Sequence, residues 1–307
     1  MTVRETLAEG KRLLKSPSPL SFIDSPDLDA ELLLAEILHV RREELLLRTD
    51  ETLTDTNREQ FLSLVERRRK GECIAYILGR KEFRGLDFVV NSNVLVPRPD
   101  TETLAEAALE YIDSWDVSNT PQCPESKNSF SVLDLCTCSG ALAISLKYER
   151  PFLRVTASDI SAEALEIAGQ NSARLLDDNR NSVRFIQSDI FENIPDKFNI
   201  IVSNPPYIPT NELSTLAPEV QLEPRLALDG GADGLALIRK IISLAPEHLA
   251  QGGVLLIEAG PEQMPEIAAL LEKNGFRVVR LHKDMAGRDR VISGSFKVRA
   301  FSSIRHG

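Results

Sequence analysis

The chain has 307 residues, 42% of them hydrophobic and 27% charged, which suits two globular domains or one large α/β domain with an appendage. No apolar run reaches the roughly 18 residues that cross a bilayer, and the amphipathic N-terminus MTVRETLAEGKRLLK lacks the apolar stretch of a secretory signal, so the expected compartment is the cytoplasm. A formal net charge of −10 argues against stable binding to nucleic acid, whose phosphates need neutralising.

Residues 1–78 read as a small helical domain. Ser25 is a plausible N-cap with Pro26 at the first helical position, and Leu28, Leu32, Ile37 and Leu38 follow in a Leu-rich segment. A second helix runs through Phe61, Leu64 and Val65 and stops near Gly71. The run Arg67-Arg68-Arg69-Lys70 closes that helix and reads as a solvated helix end rather than a basic patch.

Residues 79–98 change texture. Phe83, Leu86, Phe88, Val90, Val94 and Val96 alternate near Gly85, Asn91 and Asn93, which predicts a β-hairpin linking the domains. Residues 99–307 form the second domain, in which the polar segment Asp113 to Phe130 is expected as an exposed loop. Apolar runs then alternate with helical patterns: Ser131–Leu135, Arg154–Asp159, Val183–Asp189, Asn199–Asn204, Gly253–Glu258 and Phe276–Leu281. That alternation predicts a mostly parallel sheet with helices on both faces, and such sheets bind ligands at the carboxyl ends of their strands.

The first run ends in Asp134-Leu135-Cys136-Thr137-Cys138-Ser139-Gly140. Small residues there let the backbone approach a ligand at a helix N-terminus. The loop lacks the dinucleotide pattern G-x-G-x-x-G and resembles a degenerate D-x-G-x-G-x-G, the loop of class I (Rossmann-like) methyltransferases that bind S-adenosyl-L-methionine. Two of its glycines are replaced by Cys136 and Cys138, although cysteine disfavours the positive φ such a loop uses. Asp159, at the end of the second run, is placed to accept both hydroxyls of a ribose, and Asp189 with Ile190 to face an adenine edge. An acid at a strand end can equally cap the next helix. The Cys136-x-Cys138 pair also invites a metal, but Cys73, Cys123 and the four histidines supply no further ligands at zinc spacing, so none is expected.

The fourth run ends in Asn204-Pro205-Pro206-Tyr207-Ile208. Two prolines stiffen the turn and remove two N–H donors, leaving acceptors, an amide and an aromatic face. This suits a planar NH₂ group: Asn204 Oδ1 accepts one N–H, the Pro205 carbonyl the other, and Tyr207 packs on the plane. An amide nitrogen is a poor nucleophile because its lone pair is delocalised. Two acceptors on its hydrogens raise its electron density and aim it, so catalysis is mainly positioning. Asn204 and Pro205 are therefore the candidate catalytic pair, with Pro206 and Tyr207 completing the substrate pocket and Asn204 also beside the cofactor.

At this point the chain resembles the release factor glutamine methyltransferases, the PrmC/HemK family, over nearly its whole length. The resemblance rests on Val94–Glu102 (VLVPRPDTE), Asn204–Ile208, Glu223–Gly231 (EPRLALDGG), Asp233–Leu235 and Ala286–Val291 (AGRDRV). It implies methylation, by S-adenosyl-L-methionine, of the side-chain amide nitrogen (N5) of the glutamine in the Gly-Gly-Gln motif of class-one peptide-chain release factors. It further implies a site mouth near Arg98 to Glu102 and leaves Arg288 and Arg290 open between recognition and surface ion pairing. A sister branch acts on a ribosomal protein, although Ala217–Val220 looks closer to the release-factor branch. A DNA or RNA amino-methyltransferase would use the same turn on an extruded base. A protein that binds the cofactor without catalysis is the other alternative.

Overall fold

The computed structural model describes residues 1–15, 23–115, 130–176 and 181–296. In chain order the first half carries α1 (Val3–Lys15), α2 (Pro26–Leu38), α3 (Asp55–Arg69), α4 (Ile74–Leu78), β1 (Arg80–Phe83), β2 (Leu86–Val89), α5 (Asp100–Ser114), β3 (Ser131–Leu135) and α6 (Ala141–Glu149). The second half carries β4 (Arg154–Asp159), α7 (Ala162–Leu175), β5 (Arg184–Gln187), β6 (Phe198–Ser203), α8 (Pro218–Gln221), α9 (Ala236–His248), β7 (Leu249–Glu258), α10 (Met264–Lys273), β8 (Phe276–Lys283) and β9 (Asp289–Phe296). These elements form two units. The smaller comprises Met1–Arg80, Val90–Ser92 and Ser214–Pro224, and the larger comprises Lys81–Val89, Asn93–Leu213 and Arg225 onward.

In the smaller unit the apolar faces of the helices meet around Leu33, Leu34, Phe61, Val65 and Ile77. Ser25 is the N-cap residue of α2 with Pro26 behind it, but its side chain makes no cap bond. Thr54 does cap α3, accepting from the Asn57 N–H at 3.1 Å. Gly10 of α1 is required by close approach, since a Cβ there would lie 2.4 Å from Phe61 Cζ. The expectation of a solvated basic helix end is corrected at Arg68. The spacing 61, 65, 68 puts it on the buried face of α3, where it donates to Asp29 Oδ2 at 2.7 Å, the Glu72 carbonyl at 3.0 Å and Glu219 Oε2 at 2.6 Å. A buried guanidinium persists only when paired in this way. Arg67 and Arg69 pair with Glu72 and Glu66 nearer the surface.

The larger unit is built on a seven-stranded sheet of order β5-β4-β3-β6-β7-β9-β8. The first five strands are parallel, while β9 runs antiparallel to both β7 and β8. All six expected strands are present, and the seventh, β9, begins inside the AGRDRV segment that carried no strand signal. Successive residues alternate between the two faces. Val132, Ile200, Val202 and Leu256 point toward α5 and α6, and Leu133, Ile201, Leu255 and Ile257 toward α9 and α10.

The β1–β2 hairpin forms as expected and packs as part of this unit, with Phe83 and Phe88 fully buried in the α5/α6 layer. Buried Asn171 of α7 fastens it, accepting from the Val89 N–H at 2.7 Å and donating to the Val89 carbonyl at 3.0 Å. Of the expected loop from Asp113 to Phe130, the first two residues end α5 and Phe130 is in the core. The remainder, Cys123 included, lies outside the described residues save Trp115, which packs edge-on against Phe130.

Candidate active site

Parallel register brings the strand ends to one level. Leu135 pairs with both Ser158 and Ser203, and Ser203 pairs with Ile257. Cys136, Asp159, Asn204 and Glu258, each at or just past a strand end, therefore share one edge of the sheet. Asp189 and Ile190 follow the outer strand β5, joined to β4 through the Ser188 N–H donating to the Asp159 carbonyl at 2.9 Å.

The loop after β3 alternates left-handed residues: Cys136 at φ 61°, Cys138 at φ 55° and Gly140 at φ 80°. The two cysteines thus adopt the glycine-type conformation, at a cost of about 1–2 kcal/mol each. Four ties hold them there. The Thr137 hydroxyl donates to Asp134 Oδ2 at 2.6 Å, the Cys138 N–H donates to Asp159 Oδ2 at 2.9 Å, Asn171 donates to the Ser139 carbonyl at 3.0 Å, and the Leu95 N–H donates to Cys138 Sγ at 3.2 Å. Gly140 suits its place, since at φ 80° a Cβ would crowd Ile144 Cδ1 at 2.8 Å and Ala168 Cβ at 3.1 Å. Burial raises the pKa of the Cys136 thiol well above its ordinary value, and the charge of Asp159 adds to this, so the thiol stays neutral. Burial likewise lifts the Asp134 carboxyl to about 7 against the pull of Thr137.

Asp159 does not cap the following helix. Ser161 does, accepting from the Ala164 N–H at 3.1 Å. Asp159 accepts from the Cys138 and Ser161 N–H groups, one on each oxygen, which leaves lone pairs on both for a diol. Burial raises its pKa, opposed by those N–H donors. Asp189 is exposed, and half-buried Ile190 sits at φ 50°, a strained setting for a β-branched residue. Among the described residues no group of three or more metal-binding side chains occurs.

The turn after β6 is held by side chains from afar. Asn204 Nδ2 donates to Thr101 Oγ1 at 3.0 Å, and no described residue donates to its Oδ1. Pro205 is buried, and Pro206 and Tyr207 are half-buried. The Tyr207 carbonyl accepts from Gln263 Nε2 at 2.9 Å, and its hydroxyl donates to Glu258 Oε1 at 3.4 Å. Burial, then the Glu258 carboxyl, raises the Tyr207 pKa. The Leu228–Gly231 stretch braces the next residues, with the Ile208 N–H donating to the Leu228 carbonyl at 3.0 Å and the Gly230 N–H to the Ile208 carbonyl at 2.8 Å. Gly234, at φ 75°, lets the Tyr207 carbonyl pass where a Cβ would stand 2.2 Å away. Arg288 and Arg290 are both ion-paired. Arg290, however, is buried rather than on the surface, with Nη2 2.9 Å from Asp100 Oδ2.

Residues 5–79 match the family described as PrmC N-terminal domain and residues 121–219 the one described as Methyltransferase small domain. The chain is 39% identical to the release factor glutamine methyltransferase of Burkholderia pseudomallei, over 95% of this chain and 98% of that one. It is 40% identical to the release factor glutamine methyltransferase of Neisseria gonorrhoeae, over 88% and 94% respectively. The chain belongs to the release factor glutamine methyltransferase family. A solved structure of the hMettl16 catalytic domain in complex with MAT2A 3′UTR hairpin 6 shares the fold alone, at 12% identity and a TM-score of 0.52 over 80% of this chain and 82% of that one. The larger unit of this family member thus carries a methyltransferase fold, with the expected helical region before it.

Sequence reasoning placed the two loops but not what holds them. Thr101 and the Leu228–Gly234 stretch were visible only as segments of family resemblance. Glu258 appeared only as the last residue of a strand, and Gln263 and Asn171 gave no signal, because an isolated amide in a helix or turn looks the same whether it faces solvent or a buried carbonyl.

Proposed function

We propose that the chain methylates the side-chain amide nitrogen (N5) of the glutamine in the Gly-Gly-Gln motif of class-one peptide-chain release factors, with S-adenosyl-L-methionine as donor. The observation that carries this reading is the Asn204-Pro205 turn. Its amide nitrogen is tied to Thr101 while Oδ1 is left to accept, beside a loop whose backbone follows the cofactor-binding pattern. When bound, the cofactor supplies an electrophilic methyl group on a sulfonium sulfur. The loop Cys136, Thr137, Cys138, Ser139 and Gly140, left-handed at alternate residues, fits such a ligand, since it bares backbone at a helix N-terminus. Asp159 would hold the ribose hydroxyls, and Asp189 and Ile190 the adenine edge.

At the reacting end, Asn204 Oδ1 and the Pro205 carbonyl would each accept one N–H of the substrate amide. Tyr207 and Pro206 would flank its plane and exclude water. Orientation by two acceptors selects the nitrogen lone pair, and the proton it carries becomes acidic once the nitrogen is methylated, so no strong base has to stand nearby. Family membership supports release factors as the substrate class, and their place in translation supports a cytoplasmic setting. The test is intact-mass measurement of a purified release factor after incubation with enzyme and cofactor. The expected result is a gain of one methylene that disappears when the motif glutamine is replaced. An unchanged mass with active cofactor overturns the reading.

A further inference from the structure

Burying a guanidinium is costly unless it is paired, so the partners of a buried arginine show what it holds. Arg290, the second residue of β9, is buried. Its Nη2 lies 2.9 Å from Asp100 Oδ2 and 3.7 Å from Asp284 Oδ2, and its Nη1 donates to the Ala259 carbonyl at 3.5 Å. One side chain therefore reaches the first residue of α5, the turn between β8 and β9, and the residue after β7.

These three partners depend on it unequally. Asp284 is fixed by its own turn, where Oδ1 accepts from the Ala286 and Arg288 N–H groups, both at 2.9 Å, and Oδ2 from Arg288 Nε at 2.9 Å. Ala259 is fixed by the sheet, its N–H donating to the Arg290 carbonyl at 3.2 Å. Asp100 has no such local hold. Among the described residues its carboxylate meets Arg290 and, at 3.7 Å, Arg288.

The start of α5 needs that hold. Its N-cap is Pro99, which makes no side-chain cap bond. The Thr101 and Glu102 N–H groups donate to the Arg98 and Pro99 carbonyls at 3.1 and 3.0 Å, which sets the shape of the turn but not its place. Apolar packing of Leu104, Ala105 and Ala108 seats the helix, and such packing is non-directional. Yet the residue after Asp100 is Thr101, itself buried, whose Oγ1 accepts from Asn204 Nδ2 at 3.0 Å. A displaced first turn therefore displaces the Asn204 amide, and a positioned reacting group tolerates little of that.

We propose that Arg290 is a positioning residue for the amide clamp: paired with Asp100, it fixes the first turn of α5 and so the Thr101 hydroxyl on which Asn204 is held. This rests on the reading of Asn204 as the acceptor for the reacting amide. It gives Arg290 an interior role in place of substrate recognition or surface pairing.

The test compares Arg290→Met, Asp100→Ala and the double variant in release-factor methylation. Each single variant is expected to lose roughly 10- to 10²-fold in kcat, with KM and cofactor affinity held. The double variant should lose no more than the worse single one, because both remove the same contact. A kcat equal to that of the wild type in folded protein would leave the pair a mere brace for the hairpin and overturns the proposal. So does a raised KM with kcat held, which would mark recognition, and so do losses that multiply in the double variant. If Arg290→Met does not fold, the half-buried Asp100→Ala decides. A second arm needs no activity. Hydrogen exchange of the Asn204 side-chain NH₂, followed by NMR in the full chain, should be faster in Asp100→Ala than in the wild type. Unchanged exchange overturns the inference whatever the chain methylates. A wild-type chain that leaves release factors unmodified, yet shows the exchange difference, overturns the functional reading and keeps this one.

Discussion

The two loops that meet at the sheet edge reach rigidity by opposite routes. The turn after β6 is stiff in its own covalent chemistry, with two prolines, and borrows its polarity from distant groups: Thr101, Glu258, Gln263 and the Leu228–Gly234 brace. The loop after β3 takes a strained backbone with ordinary side chains at two glycine-type positions and is pinned through its own N–H and carbonyl groups by Asp159 and Asn171. A group that must present a chosen hydrogen-bonding atom is governed by side chains. A surface that must present bare backbone is governed by backbone. The first should therefore be brittle toward side-chain substitution and the second tolerant of it.

The sharpest break of that contrast is Asn204→Ala. Removing the acceptor should cost about 10²-fold or more in methyl transfer while the folded circular-dichroism spectrum persists. A folded variant with most of its activity would show that positioning at this turn is not what limits the reaction. Next in size is Asp159→Ala, expected to weaken cofactor binding by about 1.5–3 kcal/mol, the scale of charge-assisted hydrogen bonds to a diol. Part of that loss should be indirect, through the released Cys138 N–H, and calorimetry with unchanged affinity would mean the cofactor is held elsewhere.

A smaller effect concerns pH. The Asp134 carboxyl, raised to about 7 by burial, keeps a proton in the folded chain that the unfolded chain releases near pH 4. Between those values the folded state binds more protons, so Asp134 makes stability fall as pH rises from about 4 to about 7, by on the order of 1 kcal/mol per pH unit. Asp134→Asn should flatten that slope in denaturant melts taken across the window, and an unaltered slope would place the titration in another group, with Glu258, also raised to about 7, the first candidate.

The smallest expected effect is at the cysteines. Replacing Cys136 and Cys138 with glycine relieves left-handed strain while adding freedom to the unfolded chain, two effects of about 1 kcal/mol that oppose each other. Stability should shift by no more than about 1 kcal/mol per position, and methyl transfer should persist. Bound cofactor should also shield at least one thiol from alkylation. Activity lost on chelation, or in the glycine variant, would restore a metal or redox role for the pair.

Much of this was legible from local pattern. Strand ends at Leu135, Asp159 and Ser203 follow from apolar runs broken by polar or small residues, and once a parallel sheet is inferred, ligand-facing loops must sit at those ends. The AGRDRV segment was not legible as a strand start, because β9 takes its partners from both flanking strands of a sheet that exists only after folding. Arg68 was misread for a related reason. Nothing local distinguishes it from Arg67 and Arg69, and only the arrival of Asp29 and Glu219 makes its burial tolerable.

By itself the sequence determined the order of helices and strands up to β8, the rigid Asn-Pro-Pro-Tyr turn and the family to which the chain belongs, since these depend on residue type and spacing. Tertiary structure alone decided which way the Asn204 amide points, that cysteines can hold a left-handed loop, and that Arg290 is an interior ion pair. Each is a matter of hydrogen-bond partners and burial supplied by residues far along the chain, and a hydrogen bond or a desolvated charge has no signature until both of its sides are in place.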